Sequence, residues 1–329
     1  RRTITGEGKT DVLLLGTLRH YQLLIKKLKM QPFGLKKLAA ELESILQNVE
    51  SASAVKLNLP PGLQAAWGER TLIMGILNVT PDSFYDGGRY SELDTALNRA
   101  REMVEEGADI IDIGGFSTRP GASPVPPEEE IRRVVPVLKR IKQEMPVVPV
   151  SVDTFVAETA REVLEAGADI INDPGGLKAD PGMAAVVAEF GCPVVIMHNR
   201  MGGGYQDLMA EVVADLKDAI QLALENGIPR ENIVVDPGIG FGKNAEENLT
   251  LIRNLGELKS LGRPILLGAS NKSFIGKITG DPVNERLIGS LAAAVIGVMN
   301  GADIVRVHNV RETRKAVAMA DAVKEARHG

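Results

Sequence analysis

Three stretches of this chain repeat one another: "EEGADIIDIGG" at 105–115, "EAGADIINDPGG" at 165–176 and "NGADIVRVHNV" at 300–310. Each reads as the end of a helix that turns on glycine and enters a short β-branched run beginning at Asp. Five further apolar runs, "LIMGIL" (72–77), "VPVSV" (148–152), "PVVIM" (193–197), "NIVVD" (232–236) and "ILLGA" (265–269), bring the candidate strands to eight. Between them lie amphipathic stretches such as "LDTALNRAREMVEEG" and "EEIRRVVPVLKRIKQEM", with apolar residues three and four apart. Strand and helix alternate, and continuously apolar strands need cover on both faces, so the class is α/β with a parallel sheet. The 258 residues from 72 to 329 match the ~250 typical of a (β/α)8 TIM barrel. A doubly wound open sheet is the competing architecture; eight evenly spaced units favour closure.

The first 60 residues differ from the rest. They hold 10 Lys and Arg against 5 Asp and Glu, while the remainder holds 28 against 38. A basic segment can contact nucleic acid or membrane. Here "YQLLIKKLKMQPFGLKKLAAELESILQNV" sets its lysines between Leu and Ile at helical intervals, which predicts an amphipathic helical extension over residues 1–60 with a solvated basic face. Pro60, Pro61 and Gly62 mark a linker into the barrel of residues 61–329. No run approaches the roughly 18 apolar residues of a membrane helix, and no signal-peptide pattern opens the chain. A cytoplasmic protein with neither nucleic-acid nor membrane partners is expected. The single cysteine, Cys192, cannot form an internal disulfide and reads as a packed thiol. The chain opens without Met, which reads as truncation or processing.

In a barrel, side chains at the carboxyl ends of the strands meet ligand instead of core. Asn78, Asp112, Asp153, Asn172, Asp173, His198, Asp236, Ser270, Lys272, Arg306 and His308 all fall near such ends, and they are expected to converge on one mouth. Carboxylates accept hydrogen bonds, amides do both, and Lys and Arg only donate. That inventory suits a flat heterocycle with amine and ring N–H donors, carrying an attached phosphate or carboxylate for the cations. Arg306 and His308 follow strand 8, where barrels often hold phosphate. Two long loops, "NVTPDSFYDGGRY" with Asp86 and "GGFSTRPGASPVPPEEE" with Arg119, have the length and composition of lids. "GIGFGK" at 238–243 is too short for a nucleotide phosphate loop, and Lys243 precedes Asn rather than Ser or Thr. Four histidines make a zinc site unexpected, whereas Mg2+ held by Asn78 and phosphate oxygens fits the chemistry.

Taken together, "MGILNVTPDSFYDGG", "GGFSTRPGA", "SVDT", "IND", "VVIMH", "DPGIGFGK", "SNKSFIG" and "RVHNV" resemble the dihydropteroate synthase family, in its order, across about residues 70–310. The resemblance implies that the amine of p-aminobenzoate attacks 6-hydroxymethyl-7,8-dihydropterin pyrophosphate, giving 7,8-dihydropteroate and pyrophosphate. It also implies a pterin pocket of Asp153, Asn172, Met197, Asp236, Lys272 and Arg306. The pyrophosphate would meet Asn78, Arg306 and His308 with Mg2+. Asp86, Thr118, Arg119 and Pro120 would come from the lids, p-aminobenzoate would lie near Thr118, Pro120, Phe241, Lys272 and Ser273, and Asp153, Asp236, Lys272, Arg306, His308, Arg119 and Asp86 would carry the reaction. Family members pair as homodimers, and "LIGSLAAAVIGVMNG" at 287–301 is a candidate surface for that.

The chain departs from the family pattern at Phe116, Asn271, Ile239 and Pro174, where Glu, Arg, Phe and Val are usual. Asn271 removes a positive charge expected near the p-aminobenzoate carboxylate, which bears on affinity more than on reaction type. Three other readings compete: a pterin-binding methyltransferase serving a corrinoid protein, an aldolase with Lys272 as Schiff-base nucleophile, and an inactive pterin-binding module.

Overall fold

The structure, a computed structural model, describes residues 14–51, 63, 68–79, 88–116, 125–200, 202 and 204–326. Two helices come first, α1 (Leu18–Lys29) and α2 (Leu35–Ser51). Strands and helices then alternate: β1 (Leu72–Asn78), α3 (Gly88–Glu105), β2 (Ile110–Gly114), α4 (Pro127–Glu144), β3 (Val150–Asp153), α5 (Ala157–Glu165), β4 (Ile170–Asp173) and α6 (Met183–Phe190). They continue as β5 (Val194–Met197), α7 (Leu208–Glu225), β6 (Ile233–Asp236), α8 (Ala245–Arg253), β7 (Leu266–Leu267), α9 (Ser273–Thr279), α10 (Leu287–Met299), β8 (Ile304–Val307) and α11 (Val310–Glu325). All eight expected strands form, every pairing is parallel, and the order runs β6-β5-β4-β3-β2-β1-β8-β7. The last seam is narrow: Val235 bridges Ile265, and the Val235 N–H donates to the Pro264 carbonyl at 2.9 Å.

The repeated Gly-Ala-Asp joint has two jobs. Its glycine sits left-handed just past the helix, at φ 100° for Gly107, 104° for Gly167 and 110° for Gly301. The following N–H of Ala108, Ala168 and Ala302 then reaches back to the carbonyl of Met103, Val163 and Gly297 at 2.8–2.9 Å. These bonds satisfy helix-end carbonyls and turn the chain sharply into the strand. The Asp closes the neighbouring strand's open end: Asp109 accepts from Ile73 N (2.8 Å), Asp169 from Val150 N (2.7 Å) and Asp303 from Ile265 N (2.9 Å). Each carboxylate occupies a donor that would otherwise be buried without a partner.

Strand alternation separates two apolar layers. Leu72, Met74, Ile110, Ile170, Val195, Val234, Leu266 and Ile304 pack together inside the barrel, joined by Leu63. The intervening residues, among them Ile111, Val152, Ile171, Ile196, Val235 and Val305, face the helices. The amino-terminal helices attach near the opposite end from the strand tips. Asn48 donates to the Ser260 carbonyl at 2.7 Å and accepts from Arg230 at 3.3 Å. Lys26, Lys27, Lys36 and Lys37 are exposed, as the helical spacing implied, and the expected linker at 60–62 lies outside the described residues. Cys192 is buried, and that burial pushes its thiol up to about 12. Among the described residues no helix is long and apolar enough to cross a membrane.

Candidate active site

On six of the eight strands, the barrel changes from core to site two residues past an interior apolar position. Ile110 leads to Asp112, Ile170 to Asn172, Val195 to Met197, Val234 to Asp236, Leu266 to Gly268 and Ile304 to Arg306, all on the inward parity of their strands. Asp153, Asn172, Met197, Asp236, Gly268, Lys272 and Arg306 line one cavity with Pro174, Ile239 and Phe241. Ligand sites of this kind combine an apolar wall with a few placed polar groups.

The polar groups are linked before any ligand arrives. Arg306 spans two acids, Nε to Asp112 Oδ2 at 2.6 Å and Nη2 to Asp153 Oδ2 at 2.7 Å, and Asn172 Nδ2 donates to the same Asp112 oxygen at 3.2 Å. The second oxygens, Asp112 Oδ1 and Asp153 Oδ1, are buried and have no partner among the described residues. Unmet acceptors in a buried site cost stability and are what an N–H-rich ligand would satisfy. Burial raises the Asp153 carboxyl to about 7 against the opposing pull of Arg306, with Asp112 adding to the rise. Burial likewise raises Asp236, opposed by the Gly238 N–H that its Oδ1 accepts at 2.7 Å and by Lys272. The Lys272 ammonium stands 4.1 Å from the centre of the Phe241 ring, a cation–π contact.

The expectation that all strand-end polar groups meet at one mouth needs correction. Asp173 turns outward and clips its own loop, accepting from Gly175 N at 2.6 Å and Leu177 N at 2.7 Å. His198 also faces away, with Nε2 3.1 Å from Asp215 and Nδ1 3.0 Å from Lys243. Both are one residue out of phase with the inward neighbours Asn172 and Met197, and a strand sends successive side chains to opposite faces. Ser270 pairs with His308 Nδ1 at 3.0 Å. Neither of those two, nor Asn78 or the exposed Ser273, is among the cavity-lining side chains. Asn78 ends β1 half-buried opposite Gly114. Asp86, Thr118, Arg119 and Pro120 lie outside the described residues.

The departures from the family pattern have local accounts. Ile239 and Pro174 are cavity wall. Phe116 packs edge-on against Phe155 with ring centres 5.3 Å apart. Asn271 is left-handed at φ 57°, a conformation Asn tolerates better than most residues, and its Oδ1 accepts from Ser290 at 3.3 Å. Asp112, expected with Asp153 and Asp236 among the acceptors at the mouth, is the hub that holds both Arg306 and Asn172, and it shares the inward parity of Ile110.

A closed parallel barrel with acids, an amide and two cations around an aromatic-walled cavity at the strand tips defines an enzyme built for a nitrogen-rich planar ligand. The family model for pterin binding enzymes matches residues 74–308. The chain is 51% identical over 257 residues to a dihydropteroate synthase of Clostridium beijerinckii, covering 78% of this chain and 95% of that one. A dihydropteroate synthase structure from Clostridium difficile, in the presence of pteroic acid, aligns at TM-score 0.75 and 50% identity over 77% of this chain and 97% of that one. A probable bifunctional folylpolyglutamate synthase/dihydropteroate synthase of Haloferax volcanii is 42% identical over 97% of this chain, which spans 39% of that protein. This chain belongs to the dihydropteroate synthases of the pterin binding enzyme family.

Proposed function

We infer that this chain performs the dihydropteroate synthase reaction of folate biosynthesis, joining p-aminobenzoate to 6-hydroxymethyl-7,8-dihydropterin pyrophosphate with release of pyrophosphate. The observation that carries the reading is the ring of acceptors around the cavity, Asp153, Asn172 and Asp236 facing one space with Lys272 and Arg306. A pterin edge presents amine and ring N–H donors to such a ring and a carbonyl to Lys272. Asp153, Asn172, Met197, Asp236, Lys272 and Arg306 form its pocket in this assignment. Phe241 and Lys272, with Ser273 and the lid residues Thr118 and Pro120, receive p-aminobenzoate.

An aniline amine is neutral at pH 7 and needs no strong base, so the hard step is loss of pyrophosphate. The C–O bond to the diphosphate breaks, the amine nitrogen forms the new C–N bond, and its proton leaves to solvent. Arg306, His308 and the lid cation Arg119 stabilise the charge that builds on the leaving group, while Asp236 and Asp153 support the electron-deficient pterin. Asp86 belongs to the same lid assignment. The donor set fits Mg2+ as an ion held mainly by substrate and water. Asn78 offers one amide oxygen, no group of three His, Cys, Asp or Glu side chains comes together among the described residues, and Mg2+ keeps waters and binds substrate phosphates. Bound there, it would supply Lewis-acid stabilisation of the diphosphate.

A homodimer and a cytoplasmic location belong to the same reading. The inner face of α10 packs on the barrel through Ala293, Ala294, Gly297 and Val298, while Ile288 and Ile296 are 80% and 50% exposed. Met319 and Val323 of α11 are exposed as well. Light scattering of the purified chain tests this pairing. For the activity, pyrophosphate release is followed with and without p-aminobenzoate; release together with dihydropteroate formation is expected. Failure to release pyrophosphate with both substrates present, or methyl transfer from methyltetrahydrofolate to a corrinoid protein, would overturn the assignment.

A further inference from the structure

The loop after β6, "GIGFGK", contributes Ile239 and Phe241 to the cavity wall and ends on Lys243. At two of its glycines it passes a neighbouring backbone too closely for any side chain. Gly238 is left-handed at φ 69°, and a Cβ there would stand 1.9 Å from the His198 carbonyl oxygen; one on Gly242 would stand 2.3 Å from the Arg200 carbonyl oxygen. A loop this close to its neighbours still needs something to fix its carbonyls. Lys243 Nζ lies 3.0 Å from Gly238 O, 3.1 Å from Phe241 O and 3.0 Å from His198 Nδ1. An ammonium has three donors and no acceptor, so these three nearest partners can take all of them, with the His198 carbonyl farther off at 3.5 Å. Nδ1 of His198 must therefore accept, which places the ring proton on Nε2, facing Asp215 Oδ2 at 3.1 Å. Arg200 steadies Asp215 from the other side at 2.8 Å. Burial lowers His198 to about 4 and Lys243 to about 8, so near pH 7 the ring is neutral and the ammonium is charged.

Resting on the function assigned above, we propose that Lys243 is a positioning residue for the second substrate, its ammonium holding the Gly238 and Phe241 carbonyls so that the Phe241 ring stands against Lys272 where p-aminobenzoate binds. Lys243 itself is absent from the cavity wall, and it acts through the backbone of the residue that is there.

The full chain carrying Lys243→Met keeps the aliphatic stem and loses the donors. At pH 7 its KM for p-aminobenzoate rises about 10-fold, roughly the worth of one charge-assisted hydrogen bond, while kcat and the KM for pterin pyrophosphate stay within about 3-fold. In a Phe241→Ala background the same change leaves the p-aminobenzoate KM unaltered, because the side chain through which Lys243 acts is gone. An unchanged KM, an equal shift of both KM values and kcat, or additive effects in the double variant overturns the proposal. Hydrogen exchange of amides 238–243 reads the staple without substrates: faster exchange is expected in Lys243→Met, and unchanged exchange overturns the proposal whether or not the chain turns over. Should that variant not fold, Lys243→Arg, which keeps charge but misplaces the donors, is put through the same measurements. Absence of turnover in the unsubstituted chain would instead sink the assigned function.

Discussion

Arg306 Nη2 and Asp153 Oδ2 lie 2.7 Å apart at the barrel mouth, joining β8 to β3, and Arg306 Nε reaches Asp112 on β2 at 2.6 Å. One guanidinium thus compensates two acids whose exposure is 6% and 0%. Arg306→Met leaves those acids close together without a cation, and breaking a buried pair in this way costs about 3–5 kcal/mol. Urea unfolding at pH 7 measures the loss. A loss below about 1 kcal/mol would show that the pair is far better solvated than its burial implies.

Asp236 divides its two oxygens between structure and ligand: Oδ1 takes the Gly238 N–H, and Oδ2 stands 3.9 Å from where a Cβ on Gly268 would project at the cavity. Asp236→Asn can keep the first bond but presents an NH2 donor to a ligand donor. We expect kcat/KM to fall by about 2–4 kcal/mol of transition-state stabilisation, with the fold intact. Steady-state kinetics beside a thermal melt test this, and a loss under tenfold would count against the pterin assignment.

Asp303 shows the joint's second job in isolation. It is half-buried, and its Oδ2 accepts the Ile265 N–H at 2.9 Å beside the one-bridge seam between β6 and β7. Asp303→Ala is expected to destabilise the barrel by about 1–3 kcal/mol through the orphaned donor, and Asp303→Asn by less, since its amide oxygen can still accept. Equilibrium unfolding ranks the three; equal stabilities would refute the capping role.

His198 supplies an acid-side dependence. Its folded pKa of about 4 lies below the 6.5 of the free side chain, chiefly through burial and then through Lys243. The unfolded chain therefore binds the proton first, and stability falls as pH drops from about 6.5 to 4, by on the order of 3 kcal/mol. Asp153 at about 7 and Asp173 at about 6 slope the other way, losing stability as pH rises from about 4, so the wild type alone would mix the effects. The difference between wild type and His198→Gln isolates the histidine. A difference that stays flat from pH 4 to 6.5 would mean the ring is not held neutral.

Most of the fold was legible because its signals are local. Apolar run length marked eight strands, helical spacing marked the layers between them, and a glycine before Ala-Asp marked three of the joints. The site was legible only in part, and one rule explains much of the remainder. Asn172 and Asp173, or Met197 and His198, are neighbours in sequence and look equally like strand-end polar or soft groups, yet one of each pair points into the barrel and the other away. Counting by twos from the interior residues would have separated them and would have put Asp112 beneath Arg306.

By itself the sequence determined the α/β alternation, the joints and the identity of the groups available at the strand tips, since period, turn chemistry and residue type are properties of short segments. Tertiary structure decided which groups share a ligand space: closure through Val235 and Ile265, Arg306 spanning from β8 to β2 and β3, and Lys243 gripping carbonyls of its own loop and the ring of His198. Those contacts join residues up to 194 positions apart. Their geometry follows from packing strands around a common axis, where distance in space no longer tracks distance along the chain.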